Sequence, residues 1–262
     1  MLGNLAEVAM LLALGFGAGL FVGTASGTAG SMLIPSFTLL VGYATPDAIG
    51  TSLAVDCVIG AVAGAVYLKN RHVDVQPALL LVAAALAGTL LGSRFTSYTP
   101  EAGLNVILGC FLVFIGVVLI KNGASKNVSV ISSKIRGRFL RRHRTATFLA
   151  LGLAVGLISG FIGMGGGRML AVILIFVVGY QIHTAIGTSL ILMFFIAGTG
   201  AVSHAVSHEI VPGAVALAAP AAAAGALVSA HYANRINEDT LARVVGGIIL
   251  VLGVFLVVNL FL

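Results

Sequence analysis

Residues 15 to 121 of this chain fall on a second copy of themselves when shifted forward by 137 positions, without a gap. Nine glycines coincide: Gly15, Gly19, Gly23, Gly30, Gly42, Gly50, Gly88, Gly109 and Gly116 land on Gly152, Gly156, Gly160, Gly167, Gly179, Gly187, Gly225, Gly246 and Gly253. The hexapeptide AIGTSL occurs at Ala48 to Leu53 and again at Ala185 to Leu190, each time shortly after a Gly-Tyr pair (Gly42-Tyr43, Gly179-Tyr180). Such a chain folds as two equivalent units, and the position shared by both units is the natural place for a site.

The environment of those units follows from their polarity. With 59% hydrophobic and 8% charged residues, there is too little polar surface to coat a soluble domain of 262 residues. Several apolar runs reach the roughly 20 residues needed to cross a hydrocarbon core. Met1 to Gly23 has no basic leader region and belongs to the repeat, so it reads as retained structure and not as a signal peptide. Cys57 and Cys110 lie inside apolar runs at positions unrelated by the repeat, which argues against a structural disulfide.

The net charge of +6 is concentrated in one place. Residues 121 to 144 hold Lys121, Lys126, Lys134, Arg136, Arg138, Arg141, Arg142 and Arg144, eight of the fourteen basic residues, and no acid. A basic loop between two apolar halves is the positive-inside signal, so it is expected in the cytoplasm beside anionic lipid headgroups, not on nucleic acid. The expected organisation is a first transmembrane repeat (1–121), a basic linker (122–145) and a second repeat (146–262).

Each half reads as five apolar segments, A to E, at about 5–23, 31–44, 48–69, 76–95 and 102–120, and again after the shift. The turn between C and D carries Lys69, Arg71 and His72 in the first half but Ser207, His208 and Glu209 in the second, where Arg235 instead marks the D to E turn. The signs exchange, so the halves are expected to be inverted relative to each other, with both termini outward. The fold class is therefore an all-α polytopic membrane protein of two inverted repeats, with 8–10 membrane segments and broken or re-entrant helices at glycine-rich turns.

Those turns lie between A and B: residues 23 to 31, GTASGTAGS, and residues 160 to 168, GFIGMGGGR. Segment B is short, roughly 21 Å at helical rise against a core of about 30 Å. Dense glycine breaks a helix and opens backbone N–H groups to a ligand, and a helix starting just beyond turns its positive end toward the break. Paired breaks of this kind in inverted halves point to a midplane site for a small anion. The candidate binding residues are Gly27, Thr28, Gly30 and Ser31 in the first half and Gly165, Gly166, Gly167 and Arg168 in the second, Arg168 offering a forked donor. Close helix packing is the competing use of the glycines, and a surface position that of Arg168. Thr51, Ser52, Thr188 and Ser189 add hydroxyls, either for the anion or for the carbonyls of their own helices.

Asp56, one turn further along C, has Met193 as its counterpart and is the candidate proton-coupling carboxylate, or a partner of Arg168. His183, His204 and His208 read as interfacial or helix-end residues; no metal and no cofactor is expected. Thr99-Pro100-Glu101 and Asn237-Glu238-Asp239 read as helix starts, as do Pro77 and Pro212, while Pro220 predicts a kink and the two tyrosines suit an interface or packed helix end.

The glycine-rich turn, the AIGTSL hexapeptide after a short helix, the small-residue D segment and the basic central loop together resemble the sulfite exporter TauE/SafE family of membrane permeases. The resemblance covers nearly the whole chain outside residues 122 to 145. It implies an inner-membrane transporter of small sulfur-containing or organic anions such as sulfite, thiosulfate or sulfoacetate. The first turn departs from the glycine-heavier form of the second, so the halves are expected to contribute unequally. Two rivals stand beside this reading. Gly23-Thr-Ala-Ser26-Gly27 invites comparison with a rhomboid-like serine protease, but Ser26 falls on Gly163 in the duplicate. A passive anion channel would use the same broken helices, whereas inverted halves favour alternating access.

Overall fold

The computed structural model describes residues 5–25, 27–74, 78–122, 144–174, 178 and 180–232, and beyond them residues 243, 247, 250, 251, 253, 254 and 258 singly. Ser26, Pro77, linker residues 123–143, Arg235 and the proposed start at Asn237-Glu238-Asp239 lie outside the described residues. Within them the chain is helical: α1 (Leu5–Ala25), α2 (Gly30–Ser36), α3 (Thr45–Lys69), α4 (Leu79–Tyr98), α5 (Glu101–Asn122), α6 (Arg144–Ile162), α7 (Gly167–Ile173), α8 (Ile182–Val206) and α9 (Pro212–Tyr232). Six of them, α1, α3, α4, α6, α8 and α9, are long and apolar enough to cross a membrane. Large apolar side chains such as Phe95, Phe114, Phe195 and Leu149 are exposed on the outside, as lipid contact requires.

Local chemistry sets the helix ends. Asp47 in the first turn of α3 and Lys69 in its last suit the helix dipole, and Pro46 and Pro212 open α3 and α9 where a missing N–H costs nothing. Segment B is shorter than the spacing predicts. Pro35 sits inside α2, and the helix then widens into a π turn at Phe37–Val41 that ends at Gly42, held at a φ of 81° that favours glycine. The Tyr43 N–H bonds the Phe37 carbonyl at 3.1 Å, and Tyr180 bonds Leu174 at 3.0 Å, the same closure 137 residues on.

The helices pair across the halves. In α1, a Cβ at Gly15, Gly19 or Gly23 would strike the backbone of Ala218, Ala222 or Ala226 in α9. In α6, Gly152, Gly156 and Gly160 stand in the same relation to Leu81, Ala85 and Thr89 of α4. Both sets of partners ascend together, so α1 runs parallel to α9 and α6 parallel to α4. The matched glycines thus serve backbone-to-backbone packing between halves, where van der Waals contact and not a hydrophobic gradient holds helices together. Segments C form the centre in the opposite sense: Gly50 at the start of α3 meets His204 and Glu209 at the end of α8, and Gly187 at the start of α8 meets Tyr67 and His72 at the end of α3. The helices α3 and α8 are therefore antiparallel.

The candidate functional site

The two glycine-rich tips meet in the middle of this arrangement. Gly27, Thr28, Ala29, Gly30 and Ser31 are buried, as are Gly163 to Gly167. Gly30 lies so close to the Gly163 carbonyl that a Cβ would collide with it, and Gly163 and Gly166 adopt φ values of 77° and 72° that let the second tip fold back. Among the described residues of 27–31 and 163–167, neither tip reaches a surface.

Asp56 joins them. It is fully buried on α3, and its carboxylate accepts the Ala29 N–H at 2.7 Å through Oδ1 and the Gly165 N–H at 3.1 Å through Oδ2. One carboxylate thus spans backbone donors of both halves, which only the approach of the two tips permits. Met193, its counterpart, meets the same face of Gly165: a Cβ added there would sit 2.9 Å from Met193 Cγ and 3.0 Å from Asp56 Oδ2. The equivalence of the halves ends at this point, where one offers a charge and the other a thioether.

The hydroxyls divide by use. Ser31 Oγ donates to the Thr28 carbonyl at 2.9 Å, tightening its own tip. Ser52 Oγ lies 2.8 Å from the Ile49 carbonyl and 3.0 Å from the Gly163 carbonyl, tying α3 to the second tip, and Ser189 Oγ donates to Ile186 at 2.8 Å. Thr51 and Thr188 face elsewhere. Thr51 Oγ1 accepts the Val211 N–H at 3.0 Å and Thr188 Oγ1 accepts the Asp74 N–H at 2.9 Å, so each repeat's AIGTSL helix holds the C to D turn of the other repeat. Arg168 is the second residue of α7, and its side chain lies outside the described residues.

Sequence reasoning missed two features. Ser159 Oγ, on α6 beside Gly166, is buried and has no hydrogen-bond partner among the described residues; its counterpart is Val22, so the repeat gave no hint of it. His204, read as a helix-end residue, does end α8 but is fully buried, with Nδ1 2.7 Å from Glu209 Oε2 and Nε2 3.2 Å from the Gly160 carbonyl. Glu209, the one acidic residue between Glu101 and Glu238, was the available signal. At the outer end of segment B, Tyr43 donates to Glu7 at 3.2 Å, and burial together with the neighbouring carboxylate pushes its phenol up from the ordinary tyrosine value. No group of three or more metal-ligating side chains occurs among the described residues.

Apolar helices of spanning length, broken helices meeting tip to tip and a buried carboxylate between them define a helical membrane transporter. The sequence model of the family described as Sulfite exporter TauE/SafE matches residues 11–256, and the chain belongs to that family. Relatives bear the corresponding names. The chain is 24% identical over 188 residues to the probable membrane transporter protein YunE of Bacillus subtilis, covering 68% of this chain and 69% of that one. It is 23% identical to the probable membrane transporter protein YdhB of the same organism (71% and 74% covered) and 26% identical to a probable membrane transporter protein of Xylella fastidiosa (67% of each). No solved structure matches the chain.

Proposed function

We propose that this protein is a secondary transporter, not an enzyme, for a small anion of the sulfur oxyanion or sulfonate class, such as sulfite, thiosulfate or sulfoacetate. One observation carries the reading: an anionic group, the Asp56 carboxylate, already rests on N–H donors of both tips. A cradle that accepts a tethered carboxylate has the donors an oxyanion needs. Substrate and Asp56 then compete for the same N–H groups. Protonating Asp56 removes its charge and frees the donors, so the anion enters together with a proton. Gly27, Thr28, Gly30 and Ser31, with Gly165 to Gly167 and Arg168, form the binding set; Ser52 and Ser189 border it, and Thr51 and Thr188 hold the turns around it.

Alternating access by rocking of inverted halves fits the antiparallel α3 and α8 and the parallel α1 and α9, because inversion turns segment C of one repeat against that of the other while aligning A with the partner's D. The basic linker lies in the cytoplasm of a cell whose plasma membrane the protein spans, by the positive-inside rule.

The test is uptake of radiolabelled sulfite, thiosulfate and sulfoacetate into proteoliposomes with and without a proton gradient. Wild type is expected to give saturable flux of at least one anion, driven by the gradient. Arg168→Ala should lower that flux at least tenfold, about 1.4 kcal/mol, and Asp56→Asn should abolish its dependence on the gradient. Equal flux in both variants would move the site away from the tips. Gradient-independent, unsaturable flux in wild type would favour the passive channel.

A further inference from the structure

His204 presents a problem of hydrogen count. Its Nδ1 faces a carboxylate oxygen at 2.7 Å and its Nε2 faces a backbone carbonyl at 3.2 Å. A carbonyl only accepts, and so does an ionised carboxylate, while a neutral imidazole has one N–H. Both contacts are hydrogen bonds only if the pair holds one proton beyond a neutral ring and an ionised acid, either as imidazolium beside carboxylate or as neutral ring beside carboxylic acid. An acceptor facing an acceptor is costly where the ring is fully buried, and here His204 has no water-exposed side while Glu209 is only partly exposed.

The place of that proton matters. Gly160 belongs to the last turn of α6, where carbonyls lack helical partners and the dipole favours a cation. His204 and Thr96, whose Oγ1 lies 3.0 Å from the Phe161 carbonyl, cap this end. Five residues on, Gly165 is bound by Asp56. The segment from Gly160 to Gly165 is therefore held at one end by His204 and at the other by Asp56. The first repeat has Tyr67 and His72 in the places of His204 and Glu209, so the arrangement belongs to one half alone.

We propose that His204 and Glu209 form a second proton-carrying site, distinct from Asp56, whose proton clamps the end of α6 and with it the Gly163–Gly167 tip. Losing that proton leaves one ring nitrogen bare, its lone pair facing an acceptor oxygen, and releases the tip from the turn at residues 207–211. Among the described residues, the ionisable side chains nearest in sequence to the contacts of this pair are Asp47, one turn before Gly50 on α3; Arg94, exposed beside Ser93 on α4; and His208, exposed next to Glu209; Asp56 and Lys69 lie further along α3. From α6 the Gly160 carbonyl faces the ring, and from α4 the Thr96 hydroxyl lies 3.4 Å from that same carbonyl, with Ser93 bonded to Ser203 at 2.6 Å one residue before His204. The coupling role rests on the transporter reading above; the extra proton does not.

Two measurements separate these. In purified protein with 15N-labelled histidine, the difference spectrum between wild type and His204→Gln isolates the His204 ring. Expected is either a ring with hydrogen on both nitrogens or a neutral ring accompanied by an infrared carboxylic-acid band that disappears in Glu209→Gln. A neutral ring beside an ionised Glu209 overturns the proposal whatever the protein transports. In proteoliposomes, anion flux against pH is expected to need two ionisations, of which Glu209→Gln removes one and Asp56→Asn the other. His204→Gln, which keeps a donor for the Gly160 carbonyl, should behave as Glu209→Gln does. A profile lowered in amplitude but unchanged in shape in both variants would reduce the pair to a helix cap and overturn the coupling role. Absence of any flux in wild type would count against the transporter reading, while the spectra still decide the proton.

Discussion

The α1–α9 and α6–α4 pairs are the same packing made twice, yet they are lined differently. Both bring glycines at intervals of four residues against ascending carbonyls of the partner helix. On the α1–α9 side, the seam runs on through Ala226 to Ala230, with Ser229 donating to the Gly19 carbonyl. On the α6–α4 side it runs on through Thr89 to Ser93, joined by Thr96, Ser203, His204 and Glu209. Steric limits on the backbone are identical in the two places and preserve glycine in both. Side chains that point off the seam carry no such limit, and the α6–α4 side gathers a polar cluster where the α1–α9 side has the single hydroxyl of Ser229 among the described residues. The duplicated scaffold and the asymmetric chemistry are separate layers of the same sequence.

Substitutions at the seam probe the shared layer and should have the largest effects. Gly156→Ala and Gly19→Ala each place a Cβ against partner backbone, at Ala85 and Ala222, that has no free rotor to yield. Each is expected to lower stability by about 1–3 kcal/mol, read as a fall in thermal denaturation midpoint of the detergent-purified protein. A large difference between the two would break the equivalence of the seams. Next in size, Thr51→Val and Thr188→Val each strip a backbone N–H, of Val211 or Asp74, of its acceptor. The expected cost is about 1–3 kcal/mol for a buried group and toward the lower end in these half-buried turns. Similar losses in both mutants on chemical denaturation would sharpen the twofold relation.

The polar layer should respond more gently. Ser93→Ala removes the bond to Ser203, at a cost of about 0.6 kcal/mol, the average for hydrogen bonds between membrane helices. Ala230→Ser, at the matching position in α9, meets Val66 in the repeat-equivalent place of Ser203 and is expected to gain nothing. The smallest effect is a pH dependence at Tyr43. Its folded-state value is raised, so its contribution is complete below the ordinary tyrosine range and is lost as pH rises through the folded value, the phenolate then lying beside Glu7. Tyr43→Phe should flatten that alkaline decline in stability.

Much of the layering was legible in the sequence. Segments A, C and D end within a few residues of α1, α3, α4, α6, α8 and α9, because long apolar runs and their proline and charge punctuation depend only on local chemistry. The breaks before α2 and α7 were legible from glycine density. The pairing of helices was not: a repeat says that Gly19 and Gly156 are equivalent, but not that Gly19 meets Ala222. Spacing of four among Gly15, Gly19 and Gly23 was the signal for close packing, and it reads as such only once the partner is known. The donors on Asp56 are backbone N–H groups, which have no residue identity to find. Burial of His204 depends on the long-range meeting of α8 with α6, invisible from a histidine near a helix end.

The crossed clasps of Thr51 on Val211 and Thr188 on Asp74 bear on how the protein is made. The amino-terminal repeat leaves the ribosome first, with the Asp74 N–H waiting for an acceptor that lies in a helix not yet translated. It can enter the bilayer but cannot complete its own turn. Maturation is thus a joint event, and newly inserted first halves depend on prompt arrival of their twin, or on a quality-control machinery that shelters an unfinished intermediate.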